Sequence, residues 1–243
     1  MENLAMGKKE KLRLTFDFFQ RTFVHYAMWY SEVVETFGRE RAAEIMEEAW
    51  QKSFSIQMKR LSKVLDFEME DGLPKALLEM DETQIDALRE AVAVNWLAND
   101  GVWFQSVEFS EGMTLAKKCN DATWSHFSPY EALRIKKILK LPEKAGIAGL
   151  RKAMAYRLYG TVNVQSFANE TENSIDFYMN RCRVQAARKR KGLQDYPCKT
   201  GGIIEYTTFA ETIDSRIKTK VIGCPPDKHP EEWYCGWRFT IEE

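Results

Sequence analysis

Residues 160–168 read GTVNVQSFA, and at this point the chain changes its period. Val162, Val164, Ser166 and Ala168 alternate with Thr161, Asn163, Gln165 and Phe167, the two-residue repeat of a strand with one covered face. Residues 174–180, SIDFYMN, alternate in the same way, and 169–173 between them supply a hairpin turn. Downstream, 183–191 and 202–213 read as short helices, and 216–223 and 233–241 as two further strands. The order β-β-α-α-β-β predicts a small antiparallel sheet of four strands covered by helices.

Upstream the period is helical. Phe16, Phe19, Phe23, Tyr26, Tyr30, Val33 and Phe37 step by threes and fours along a helix from Lys8 that stops at Gly38. A second helix is expected over 39–67, with Ala42, Ile45, Trp50, Met58 and Leu61 inward. Asp71-Gly72-Leu73-Pro74 is turn chemistry. Asp81 reads as the N-cap of a helix through Trp96, interrupted at Asn99-Asp100-Gly101. Another helix should cover 112–127, and Ser128-Pro129 should open a new one to Leu141. Residues 147–158 also read as helical. The expected class is α+β: a helical region over 1–142 and an α+β region over 143–243, together forming one compact unit.

The chain has 243 residues, 44% of them hydrophobic, enough to bury a core. Its 35 basic and 36 acidic side chains leave a net charge of −1, which argues against a general nucleic-acid binder. No apolar run spans a bilayer and no secretory leader opens the chain, so a cytoplasmic location without a membrane partner is expected. The charge is uneven. Residues 181–220 carry ten basic and four acidic side chains, and the rest is correspondingly acidic.

Four of the five cysteines, Cys182, Cys198, Cys224 and Cys235, fall in the last 62 residues; Cys119 stands apart with no assigned role. In a reducing compartment these are thiols. Their spacing admits three readings: a thiolate-bound metal such as zinc, buried hydrophobic thiols, or a thiol activated by the neighbouring Arg/Lys run. Cys224 and Cys235 would lie on partner strands, and His229 and Asp227 between them are further candidate ligands. The basic run from Arg181 to Lys191 is either a solvated helix face, a clamp for a ligand carboxylate, or a nucleic-acid contact. Trp96, Trp103 and Trp124 read either as core or as a pocket lining, with Glu108 and Arg181 as candidate polar contacts for a small ligand. The aromatic stripe of the first helix would pack within the chain or serve as a homodimer seam.

The stretches NRCRVQAARKRKGLQDYPCK, EYTTFAETIDSRIK and CPPDKHPEEWYCGWRFTI, with NWLANDGVWFQSVE and YGTVNVQSF, resemble an uncharacterised family of bacterial and archaeal cytosolic proteins. More distantly they are similar to L-2-amino-thiazoline-4-carboxylate hydrolase-like proteins. The last 85 or so residues also resemble the 4-vinyl reductase domain, a small-molecule-binding fold. That second resemblance implies a pocket braced by zinc. In the phenol-sensing members of the group three cysteines and a glutamate hold the metal. Cys198, Cys224 and Cys235 would take the cysteine places. Val221 stands where the glutamate would be, so Cys182 becomes the expected fourth ligand, ahead of His229 and Asp227. The resemblances thus imply a zinc-braced binder of a carboxylate or aromatic small molecule. The alternatives are a hydrolase acting on a non-peptide C–N bond of a cyclic amide or thiazoline-type carboxylate, through a cysteine or a zinc-bound water, and a dimeric assembly protein.

Overall fold

A computed structural model describes residues 6–241. The chain divides into two compact units, one up to Asp66 and one from Phe67 onward. Within the second unit the middle helices pack with the C-terminal helices and sheet.

The first unit is a pair of long helices, α1 (Lys8–Phe37) and α2 (Arg39–Leu65), packed on one another. Gly38 joins them at φ 79°, a left-handed conformation that glycine adopts without a Cβ penalty. Only Ala42 and Ala43 of α2 are buried, and α1 has no buried residue.

The second unit opens with a two-strand turn, β1 (Met69–Glu70) and β2 (Leu73–Pro74), and a short helix α3 (Lys75–Leu78). The long helices α4 (Glu82–Glu111) and α5 (Met113–Ile138) follow. Asp81 caps α4 reciprocally: its Oδ1 accepts from the Gln84 N–H at 2.8 Å, and Gln84 Oε1 accepts from the Asp81 N–H at 2.9 Å. Two expected breaks do not occur. Helix α4 runs unbroken through Asn99-Asp100-Gly101, and α5 carries Pro129 in its interior. Proline removes one backbone hydrogen bond. The buried Ala116, Trp124, Ala132 and Ile135 nevertheless keep one face of α5 in the interior, and the buried Ser128 hydroxyl donates to the Glu205 carbonyl at 2.6 Å.

Helices α6 (Gly146–Ala155) and α7 (Leu158–Val162) lead into the sheet. The strands are β3 (Val164–Ala168), β4 (Ser174–Arg181), β5 (Ile217–Gly223) and β6 (Cys235–Ile241), antiparallel in the order β3-β4-β6-β5. Between β4 and β5 lie α8 (Arg183–Arg190) and α9 (Lys199–Ile213). The chain is therefore α+β with the anticipated order of elements. The first strand begins later than its alternation suggests, because 158–162 close a helical turn.

Pairing sets Phe177 opposite Trp237, and Trp237 opposite Val221. Ile175, Phe177, Trp237, Phe239 and Ile217 form one buried sheet face. Helix α9 lies on this face, α5 packs on α9, and α4 packs on α5. The contact of α9 with the sheet is close enough to demand glycine. A Cβ on Gly202 would stand 2.6 Å from Trp237 Cζ2, and one on Gly201 would stand 2.8 Å from Asp121 Oδ1. This Gly-Gly pair serves close packing of α9.

Candidate functional site

At one end of the sheet, α4, α5, α7, α8 and α9 enclose a cavity of about 570 Å³. That volume suits a small organic molecule. Its walls include all four C-terminal cysteines.

The topology explains the convergence. Gly223 pairs with Gly236, so Cys224 and Cys235 flank one rung of the β5–β6 ladder. Met179 pairs with Cys235, and three residues later Cys182 caps the start of α8. Cys198 caps α9, whose first N–H, that of Lys199, donates to the Pro225 carbonyl at 2.9 Å. That bond ties Cys198 to the segment that carries Cys224. The buried Gln185 holds the Cys198 side: its Nε2 donates to the Tyr196 carbonyl at 2.8 Å and to Cys198 Sγ at 3.1 Å, and its Oε1 accepts from the Tyr196 N–H at 2.9 Å.

The Cys224 thiol is in hydrogen-bonding reach of both the Cys198 and Cys235 thiols, and these contacts, with burial, hold it protonated far above the usual range. Burial first, and then the neighbouring Cys198, push the Cys182 thiol up to about 12. Among the described residues no three Cys, His, Asp or Glu side chains are already set around a common metal position. The thiol contacts centre on Cys224. The donor set itself, up to four sulfurs on one wall, is that of a thiophilic metal such as zinc. His229 and Asp227 are not on this wall. Asp227 pairs with Lys199 at 2.8 Å, and the His229 ring packs against Trp233 and Tyr234. Cys119 is exposed on α5.

A buried charge group underlies the cavity. Arg157, 1% exposed, donates through Nε to Glu131 Oε2 at 2.8 Å and through Nη2 to Glu205 Oε1 at 2.6 Å. Glu131 Oε1 also accepts from the Leu158 N–H at 2.9 Å. Burial outweighs the pull of Arg157 on Glu205 and raises its carboxyl to about 7. Asp100, also on the cavity wall, is raised by burial. Burial raises the phenols of Tyr159, Tyr196 and Tyr206 as well, so these are neutral hydroxyls.

The anticipated ligand contacts divide. Trp124 lines the cavity. Trp96 and Trp103 line an adjoining space of about 360 Å³ with Trp124, Phe104 and Asp100. Glu108 is taken by Arg188 in a two-pronged pair at 2.8 and 2.9 Å, which lowers its pKa. Arg181 is exposed at the end of β4 and does not line the cavity. The basic run mostly faces α4: besides Arg188, Arg183 pairs with Glu90 at 3.1 Å and Lys191 donates to Gln105 at 2.8 Å. The group Arg157, Glu131, Glu205 and Asp100 was not singled out from the sequence. The available signal was one acidic residue inside the apolar run IIEYTTFA and one arginine in MAYRLYG.

Fold and site together define an α+β chain with a thiol-walled, carboxyl-bearing cavity between its sheet and its middle helices. A family of unknown function, DUF6125, matches over residues 4–85 and 78–241, and the chain belongs to that family. No curated protein and no solved structure matches it.

Proposed function

We propose that this chain is a small-molecule-binding protein of the 4-vinyl reductase type, with the cavity as its ligand site and a zinc ion braced by Cys182, Cys198, Cys224 and Cys235. One observation carries the reading: four cysteines from separate elements meet on one wall of a ligand-sized cavity. Chance packing of reduced thiols does not require this coincidence. The β-β-α-α-β-β order and the aromatic walls, Phe104, Trp124, Tyr159, Tyr206 and Trp237, support the same reading. Bound there, zinc would crosslink the ends of β4, β5, β6 and α9 and so hold the pocket wall. The four thiols would lose their protons on binding, and the residues around them would supply the rest: Gln185 positions Cys198, and Gly202 lets Trp237 close the floor.

The test is elemental analysis with a thiol titration of protein purified without added metal. About one zinc per chain, with four thiols unreactive until a chelator is added, is the expected result. No metal after zinc has been supplied, with all five thiols titrating freely, overturns it. Zinc held by three cysteines, together with hydrolysis of a cyclic amide or thiazoline-type carboxylate, would instead favour the hydrolase.

A further inference from the structure

We propose that the cavity selects a small organic cation, a protonated amine on an aromatic or alkyl body, held between the carboxyls of Glu205 and Asp100 and the surrounding aromatic rings. The inference deepens the reading of the cavity as a ligand site and rests on it.

Arg157 is one guanidinium shared by two carboxyls, Glu131 and Glu205. Glu131 uses both oxygens, on Arg157 and on the Leu158 N–H. Glu205 uses only Oε1. Its other oxygen accepts no hydrogen bond among the described residues, although the residue is 6% exposed and lines the cavity. Asp100 lines the same space from α4, and its carboxyl makes no hydrogen bond among the described residues. The interior therefore presents two acidic groups with unused acceptor capacity, while of the two buried arginines Arg157 is already shared and Arg188 is paired with Glu108.

The other groups near Glu205 do not correct this excess. Tyr159 and Tyr206 are neutral phenols whose rings already lie against the Arg157 guanidinium, at 5.7 and 5.4 Å. Arg183 and the buried Arg188 are paired with Glu90 and Glu108, and Lys191, which donates to the neutral Gln105, is exposed. Arg190 is exposed to solvent, where its field is screened. Repulsion from Glu131 and Asp100 adds to burial in raising the Glu205 carboxyl, and the shared Arg157 only partly offsets it. A ligand ammonium placed there would accept both carboxylates as partners and sit among electron-rich ring faces, an arrangement that selects cations. An anionic ligand at this position would be repelled by Glu205 and Asp100.

The probes are three indoles of nearly one shape: tryptamine (cationic), tryptophol (neutral) and indole-3-acetate (anionic). Binding to the full chain is measured by calorimetry at pH 6 and pH 8. Tryptamine is expected to bind about tenfold or more tightly than tryptophol at pH 8, since a charge-assisted hydrogen bond replaces a neutral one. Its affinity should fall at pH 6, where Glu205 holds a proton and must release it on binding. Asp100→Asn, a half-buried position, should melt like the parent chain yet lose several-fold in tryptamine affinity, with tryptophol unchanged. Tryptophol or indole-3-acetate binding as tightly as tryptamine overturns the inference, as does an absence of tryptamine binding at millimolar concentration. Retention of zinc alongside either outcome would show that the cation inference has failed while the braced wall stands.

Discussion

The two units use aromatic residues in opposite ways. In the second, Phe177, Phe209, Trp237 and Phe239 are at most 1% exposed and interlock across the sheet and α9. In the first, Phe16, Phe23 and Trp29 are 69%, 72% and 63% exposed, and α1 buries nothing. Both segments show strong apolar periodicity in sequence. The difference is that four antiparallel strands and a glycine-lined helix give the second unit two surfaces to close upon, whereas two helices offer only one seam. Periodicity predicts that a face will be apolar; it does not supply what covers that face.

The sharpest way to break this contrast is to attack the buried charge group of the second unit. Arg157→Ala leaves Glu131 and Glu205 buried without their shared cation, and removing one partner of a buried ion pair costs about 3–5 kcal/mol. Urea unfolding should show this as a large drop in midpoint, or as failure to fold. Arg157→Met combined with Glu131→Gln and Glu205→Gln should recover much of the loss, because the charges then disappear together. If Arg157→Ala unfolds like the parent chain, the second unit is not organised around this group.

Next in size is Gly202→Val. Its Cβ would fall 2.6 Å from the Trp237 ring, and overpacking of this kind costs about 1–3 kcal/mol. A matched substitution in the first unit, Phe23→Ala, should change stability by less than about 0.5 kcal/mol, because the ring is mostly exposed. Equal losses from the two would mean that α1 is packed as tightly as α9.

The pH dependence gives two opposed and separable effects within the second unit. Asp214 is buried and accepts from Arg216, whose guanidinium holds its pKa down to about 2. A depressed carboxyl stabilises the fold above its unfolded pKa, and that contribution is lost as pH falls from about 4 toward 2. Glu205 works the other way. Its folded carboxyl binds a proton up to about 7, so its contribution is fully present below the unfolded value and is lost as pH rises from about 4.5 to 7. Thermal melts should therefore show Asp214→Asn flattening the acid limb, and a shallow decline toward neutrality in the parent chain from Glu205. A stability that is flat from pH 5 to 7 would remove Glu205 as a titrating buried group.

Much of this architecture was legible in the chain. The change from threes and fours to alternation at 160–168 located the sheet, and the four strands were found in order. The Asp81 cap was read from its side chain. What failed was local punctuation. Asn99-Asp100-Gly101 and Pro129 are helix breakers by propensity, but packing of α4 on α5 and burial of α5 overrode them. The site was half legible. Cysteine is rare enough that four in 62 residues stand out. Arg157, Glu131 and Glu205, at separations of 26 and 48 residues, are common residue types that only the packing of α5, α6–α7 and α9 brings together. Glu108 and Arg181 were chosen for chemical type: one found a partner in Arg188 and the other ended in solvent.

The smallest expected effect on the chain's own stability bears most directly on the contrast between the units. Phe16→Ser with Phe19→Ser and Phe23→Ser removes three exposed rings of the stripe from α1 without opening a cavity. If the stripe faces water in the working protein, these changes leave the melting temperature almost unaltered and raise solubility. Rings so exposed along one helix are more than a soluble surface ordinarily carries in one place, and such patches mark association. The expected outcome is therefore a change in mass: by sedimentation, the parent chain runs larger than 28.3 kDa and the triple variant runs at the monomer mass. The three positions lie in the first unit, so the variant should leave the folding of the second unit unchanged. A parent chain that is monomeric at tens of micromolar would show that the exposed stripe has no partner copy. The contrast between the units would then be one of how much each helix buries, not of what each is for.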